Sequence, residues 1–435
     1  HTDSSAASDV YKRQTDNSSG TQAGDYAVAM GTTTTASGDY STAMGATTTA
    51  SGDYSTAMGS FTTASGSFST AMGFDTTASG NYSTALNRDA LASGGYSLAT
   101  GANSIASGFA SSTLGQDTEA SGNYSLAIGI NTKATNQASF ASGADTFAEG
   151  QESVAMGRGT LAIGSFSVAM GHITEASGDT STAMGDGTTA SGYASTAMGR
   201  GSEANEQDST AMGYYTIANG EGSTAMGVNT IASGHRSTAM SSETTASGVA
   251  STAMGHLSKA TGDVSTALGA SEATGNYSTS MGWLTNATGT TSTAMGVDTT
   301  ASGNDSTSMG NTTTASGQSS TAMGHITTAS GYGSTAMGTN TQASGSTSTA
   351  TGANSIASGA FSTAIGFGAE DEYVPGESTP FYRNEALGNY SVVLGSRNKS
   401  TELGSVSIGS DNLSQGAKSL AIGENNISTG LYSMA

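Results

Sequence analysis

The groups in this 435-residue chain that could move a proton, attack a carbonyl or hold a cation are five histidines, 33 carboxylates and many serine hydroxyls. Acid–base and nucleophilic catalysis need such groups within hydrogen-bond reach of one another. The spacing keeps them apart. His172, His256 and His325 share one position of a 14-residue repeat but are separated by five or more repeats, and His235 stands alone at another position. No serine has a histidine set beside it by the pattern, so no catalytic site is expected. Cysteine is absent, which excludes disulfides and thiolate metal sites. The expectation is a protein that is not an enzyme and carries no cofactor and no metal.

Two features suit binding better than reaction. Tyr26, Tyr40, Tyr54, Phe68, Tyr82 and Tyr96 recur at one position of six successive repeats, and the column then becomes intermittent (Tyr124, Phe166, Tyr277, Phe361, Tyr390, Tyr432). An exposed aromatic strip can hold a glycan or a protein surface. The plainer reading is a ladder that stiffens the repeat or its interface. The second feature is an acidic excursion. Gly366 and Gly388 are 22 residues apart instead of 7, so 15 extra residues lie within 367–387, among them Glu370, Asp371, Glu372, Pro375, Glu377 and Pro380. Insertions in solenoids project from turns and can bind partners. Their carboxylates could take calcium, but the spacing matches no known loop motif.

A repeat running from about Thr21 onward, in about 29 coils, positions all of these residues. Numbered from the residue after its closing glycine, the coil at 46–59 reads ATTTASGDYSTAMG. Position 10 is Ser from Ser41 to Ser433, and position 5 is Ala from Ala36 to Ala357. Position 12 is mostly Ala (Ala43, Ala57, Ala71), position 3 mostly Thr or Ser (Thr48, Thr62), and positions 7 and 14 nearly always Gly. A strict period of this length means a solenoid. Small residues at 3, 5, 7 and at 10, 12, 14 give period two, which predicts two short strands per coil, near positions 3–6 and 9–13. Turns would fall at 7–8 and 14–2. Glycine at 7 and 14 suits positive φ there, which Asn136 tolerates and which Glu206 and Glu402 fit less well.

The expected fold class is therefore all-β, a parallel β-roll or β-solenoid. Its inward positions hold Ala, Ser, Thr and Gly, whose stacked hydroxyls must find partners. The outward set on the second strand is 9, 11 and 13, typically Tyr, Thr and Met. At about 4.8 Å per coil the stack would be roughly 140 Å long. One coil is short, with Gly262 and Gly275 only 13 apart, which predicts a tightened turn around Ala270.

Seventeen of the 18 methionines sit at position 13. Met44, Met58, Met72, Met156, Met170, Met184, Met198, Met212, Met226, Met254, Met295, Met323 and Met337 form the body of this column, with Met30, Met240, Met281 and Met309. Leu86, Leu114, Ile128, Leu268 and Ile365 substitute for Met, and Thr100, Ser142 and Thr351 are weak points. An interior of Ala, Ser and Gly removes little apolar area from water, while ordering 62 glycines is entropically expensive. A lone chain would also expose a stripe larger than a soluble monomer usually tolerates. Packing Met against Met contributes about 1.5–3 kcal/mol per buried side chain, which predicts a homo-oligomer with this column as its seam.

Composition narrows the partners. A net charge of −21 with 12 scattered basic residues argues against nucleic acid. No apolar run approaches the roughly 20 residues of a membrane-spanning helix. Residues 1–20 do not fit the repeat, and the stretch at 8–14 (SDVYKRQ) resembles translated sequencing-adapter sequence, so this segment is expected to stay outside the fold. The organisation expected is 1–20 non-repeat, 21–366 repeats, 367–387 a loop insertion and 388–435 a C-terminal set of coils, the whole being an internal fragment of something longer. In those last coils Val392, Val393, Leu394, Val406, Ile408, Leu420 and Ile422 replace the Thr/Met habit, and Ser400, Ser414 and Ser428 replace Ala at position 5. A tighter terminal segment is expected there.

The pattern Ser-x-Ala-x-Gly followed by x-x-x-x-Ala-Ser-Gly, with close matches at Ser125-Leu126-Ala127-Ile128-Gly129 and Ser419-Leu420-Ala421-Ile422-Gly423, resembles the head repeat of YadA-like trimeric autotransporter adhesins over about residues 21–435. The resemblance implies left-handed parallel β-rolls, three chains around one axis and second-strand hydrophobics between chains. It implies an extracellular surface rod that attaches to host, matrix or other cells through protein or glycan ligands. The membrane would be reached only through an anchor outside this fragment. Met at position 13 departs from the Ile or Val more usual in the family. Similar repeats occur in phage tail-fibre-like shafts, which is the alternative. A third class is ice binding by outward Thr pairs, but Thr33/Thr35, Thr47/Thr49 and Thr312/Thr314 are among only a few such coils.

Overall fold

The computed structural model describes residues 24–367 and 383–435. Every assigned element is a β-strand, and the chain is a parallel β-solenoid of about 28 turns. It divides into two compact units, residues 1–216 and 217–435. Each is built the same way.

The coil at 46–59 shows the plan. A short strand, Thr49–Ala50, carries positions 4 and 5, and a longer strand, Thr56–Ser60, runs from position 11 through Gly59 into position 1 of the next coil. Each strand pairs in parallel with its counterpart one repeat away, Ala43 with Ala57, Met44 with Met58 and Gly45 with Gly59. Identical residues therefore stack into columns, because a period matching the coil leaves no other register. The interior is narrow and filled by Ala43, Ala50 and Ala57 from positions 12 and 5 and by Thr48 and Ser55 from positions 3 and 10, all buried. Inward and outward positions thus fall where the alternation of small residues placed them.

The strand bounds differ from those expected, and so does the cause of two constant features. Position 9 precedes the long strand and lies in the turn, so the aromatic column is not on the strand face that carries Met. The two corners of the coil are positions 2 and 9, both in the left-handed region: Thr47 at φ 56° and Tyr54 at φ 58°. Glycine at position 14 does have positive φ, as at Gly45 with 127°. Glycine at position 7 does not. It is required because a Cβ on Gly38 would lie 2.2 Å from the carbonyl oxygen of Gly52 in the next coil. At Asn136, Glu206 and Glu402 the local bonding changes: the backbone N–H of each goes to the hydroxyl of Ser139, Ser209 or Ser405, at 3.2–3.3 Å, where glycine elsewhere donates to the next coil's position-5 carbonyl. Asn136 and Glu206 accept the Ser139 and Ser209 hydroxyls on their carbonyls, at 2.7 and 2.6 Å, as glycine does elsewhere.

The buried hydroxyls meet the expectation of satisfied partners only at some positions. The position-10 hydroxyl donates to the position-7 carbonyl at Ser111, Ser125 and Ser153 (2.6–2.8 Å). The hydroxyls of Ser41, Ser55, Thr48 and Thr62 have no hydrogen-bond partner. A buried hydroxyl without a partner costs about 1–3 kcal/mol, so this interior is a poor source of stability. The C-terminal coils solve the problem differently. Position 3 becomes asparagine, and Asn384, Asn398 and Asn412 are fully buried. The Asn398 amide Nδ2 donates to the carbonyls of Leu394 (3.0 Å) and Gly409 (2.7 Å), while its Oδ1 accepts the Asn412 backbone N–H at 2.9 Å. The Ser400 hydroxyl donates to that of Ser407 at 3.0 Å. The terminal segment is tied by this polar ladder. Of the apolar residues that set these coils apart, Val393 turns inward and is fully buried, whereas Ile422 is exposed.

Candidate binding surfaces

Position 13 faces outward. In the first unit Met44, Met58, Met72, Met184, Met198 and Met212 are half-buried by their neighbours above and below, while Met30, at the start, is 52% exposed. In the second unit Met226, Met254 and Met295 are half-buried, and Met323 and Met337 are exposed. No methionine of the column joins the interior. Thr100 interrupts the stripe between Leu86 and Leu114, leaving a dent of about 420 Å³.

At the other corner the rings of Tyr26, Tyr40, Tyr54, Phe68, Tyr82 and Tyr96 form one stack. Consecutive centroids are 4.7–5.0 Å apart and the planes lie within 14° of parallel. Left-handed backbone costs a residue with a side chain about 1–2 kcal/mol. A stacked aromatic pair returns about 0.5–1.5 kcal/mol, and a ring inside the run has two such pairs, so stacking offsets the strain of its corner. The ring faces within the run cover one another, and edges and hydroxyls are what remain exposed. Partial desolvation in the stack, then the neighbouring phenols of Tyr26 and Tyr54, then the carboxylates of Asp39 and Asp25, push the Tyr40 pKa above its ordinary 10.0.

Beside the rings runs a feature the sequence reading missed. The position-8 carboxylate or carboxamide accepts the backbone N–H of position 8 one coil earlier: Asp25 N–H to Asp39 Oδ1 (2.8 Å), Asp39 N–H to Asp53 Oδ1 (3.1 Å) and Ser67 N–H to Asn81 Oδ1 (3.1 Å). The recurrence of Asp and Asn at position 8 was its signal. Position 2 carries a comparable column, where the Asn103 amide donates to Asp117 Oδ1 (2.8 Å) and the Gln116 amide to Asp117 Oδ2 (2.9 Å). These two bonds hold the Asp117 carboxyl below its ordinary 3.8.

The remaining candidates stay separate. His172 Nδ1 lies 2.7 Å from Asp186 Oδ1, and His235 Nε2 lies 3.6 Å from Glu221, both at exposed sites with no serine nucleophile in the pair. Among the described residues no group of three or more His, Cys, Asp or Glu is arranged to hold a metal ion. Glu370, Asp371 and Glu372 lie outside the described residues. The solenoid resumes in register beyond them, with Ser355 opposite Asn384 and Phe367 opposite Ser396. Thr33 stands at a left-handed corner and Thr35 in a short strand, so the Thr pairs do not share a flat strand face.

A family model for the YadA head domain repeat matches the sequence in successive segments, beginning with 23–48 and 36–62 and ending with 386–412 and 414–435. Together these segments cover most of the chain. The chain belongs to the YadA head domain repeat family. No individual curated protein matches it significantly. The two longest stretches that the head-repeat segments leave unmatched between 23 and 435 are 272–286, which overlaps the short coil, and 370–385, within the insertion; 112–119 and 241–245, in coils of ordinary length, are unmatched as well.

Proposed function

We propose that this chain is the head region of a trimeric surface adhesin, a non-enzymatic extracellular shaft whose three copies pack through the methionine stripe. One observation carries the reading: an apolar column stays outward and in register through each unit of a YadA-type head. In water that column has no covering of its own, and burying it against two copies removes the exposed area at about 25 cal/mol per Å². Attachment to host, matrix or other cells follows from the family's character as an adhesin-like head. In this reading ligand contact falls to the exposed ring edges and hydroxyls from Tyr26 to Tyr96 and to the Glu370, Asp371 and Glu372 carboxylates. Light-scattering mass of the purified chain tests the assembly, with three times the 42.6 kDa chain mass expected. A Met184→Glu/Met198→Glu pair should shift that mass toward the monomer, since adjacent carboxylates in the seam repel their copies. A wild-type chain that runs as a stable, soluble monomer sinks the proposal.

A further inference from the structure

The one short coil opens a recess in the second unit. Between Gly269 and Gly282 the chain is one residue short, and the register slips at Ala270/Ser271: Ala270 pairs with Trp283, Ser271 with Thr285, and Leu284 has no counterpart. The missing residue is the left-handed corner at position 2. The coil before it presents Leu257 at this corner and the coil after it presents Leu284, at φ 59° and 54° and both exposed. The seat between them is vacant. The result is a recess of about 440 Å³ lined by Leu257, Lys259, Glu272, Trp283, Leu284 and Asn286, with the backbone around Ala270 as its floor.

Two observations assign chemistry to it. Trp283 is the only tryptophan in the chain and is 57% exposed, at position 1 beside the vacant corner, so an aromatic face is offered to the recess. Lys259, Glu272 and Asn286 stack on adjacent coils along one side of the recess, with Lys259 Nζ 2.9 Å from Glu272 Oε1. They supply an ammonium donor, a carboxylate acceptor and an amide that does both. The ammonium and carboxylate neutralise each other, so the site selects no net charge.

We propose that this recess binds a neutral carbohydrate, with one pyranose face against the Trp283 indole and its ring hydroxyls on Lys259, Glu272 and Asn286. An apolar peptide side chain would use the indole and the two leucines but would strip water from three polar groups and return no hydrogen bonds, at a cost of about 1–3 kcal/mol each. A sugar satisfies both halves, because its ring presents an apolar C–H face and a polar rim. The volume falls in the usual range for small-ligand sites, about 300–1,000 Å³.

The single tryptophan makes the test direct. Indole fluorescence of the full chain is followed while galactose, glucose, N-acetylglucosamine and lactose are added, with an immobilised array of neutral glycans as the wider screen. A saturable change in emission with at least one of them is expected. On the array, Trp283→Ala should weaken retention about tenfold or more, and Glu272→Gln by a smaller factor. The decisive variant inserts one glycine between Ala270 and Ser271. It restores a 14-residue coil and fills the vacant corner, so it should abolish binding while the circular dichroism spectrum stays that of the parent. The proposal is overturned if no neutral saccharide perturbs the indole or is retained, or if binding survives the insertion. It is equally overturned if the recess responds to N-acetylphenylalaninamide and to no sugar, which would make it a peptide side-chain site.

Discussion

Gly185 and Gly187 lie two residues apart in the chain, and the structure assigns them opposite tolerance to the same substitution. At Gly185, position 14, φ is 128° and an added Cβ would sit 1.9 Å from the carbonyl oxygen of Gly199 in the next coil. That is more than 1 Å inside ordinary van der Waals contact, and the obstacle is backbone, which cannot rotate away. Gly185→Ala must therefore push adjacent coils apart or turn a peptide. Overpacking costs about 1–3 kcal/mol, the glycine-only φ about 1–3 kcal/mol, and each ladder hydrogen bond lost about 1 kcal/mol. With one such bond lost, a local loss of about 3–7 kcal/mol follows. At Gly187, position 2, φ is 62° and nothing lies within 4 Å of the added Cβ. Gly187→Ala there incurs about 1–2 kcal/mol of left-handed strain and recovers about 0.5–1 kcal/mol from the stiffer unfolded chain. The net loss is about 1 kcal/mol or less. A repeat array opens locally, so amide hydrogen exchange read by peptide over 182–203 is the suitable assay. At about 1.4 kcal/mol per tenfold, exchange should quicken 100-fold or more in Gly185→Ala and less than tenfold in Gly187→Ala. Equal effects of the two, or a silent Gly185→Ala, would refute the close-approach argument.

Other expectations follow from the ladders. Asn398→Ala should remove the amide bonds to the Leu394 and Gly409 carbonyls and leave the Asn412 N–H without its side-chain acceptor, and a loss of about 1–3 kcal/mol should appear as faster exchange over 384–426. Tyr54→Ala removes two stacked pairs, with Tyr40 and Phe68, and should cost about 1–3 kcal/mol, visible as earlier proteolysis of the first coils. Tyr40, with its pKa raised above 10.0, keeps its proton in the fold at a pH where the unfolded chain begins to lose it. Its contribution to stability is full below about pH 10 and fades as pH rises through the folded value, so tyrosinate absorbance should develop later in the native chain than in the denatured one. Asp117 has the opposite sign: its lowered pKa stabilises the fold above about pH 4, and this is lost on acidification, with carboxyl NMR as the readout.

The alternation of small residues was enough to read the section of the solenoid. Only Ala, Ser, Thr and Gly fit inside a 14-residue coil, so Ala43, Ala57, Thr48 and Ser55 had to point inward and Met58 outward, as they do. The spacing of Gly262 and Gly275 likewise located the short coil at Ala270. The left-handed corners were only partly legible: Asp and Asn at position 2, such as Asp89 and Asn103, favour that region, but Thr47, Tyr54 and Arg236 stand at corners with no such preference. The closure of the coil imposes that backbone. Glycine at position 7 was plain in the sequence, but its reason belongs to the next coil, whose carbonyl lies where a Cβ would go. The asparagine ladder depends in the same way on contacts between residues 11 and 14 apart, and the recess beside Trp283 on residues one and two coils apart, brought together only when coils stack. The sequence thus determined what each coil is made of and which side each residue takes. Stacking decided which backbone atoms approach, where hydroxyls go unpartnered and where a missing residue leaves room, because those distances are set by the neighbouring coil.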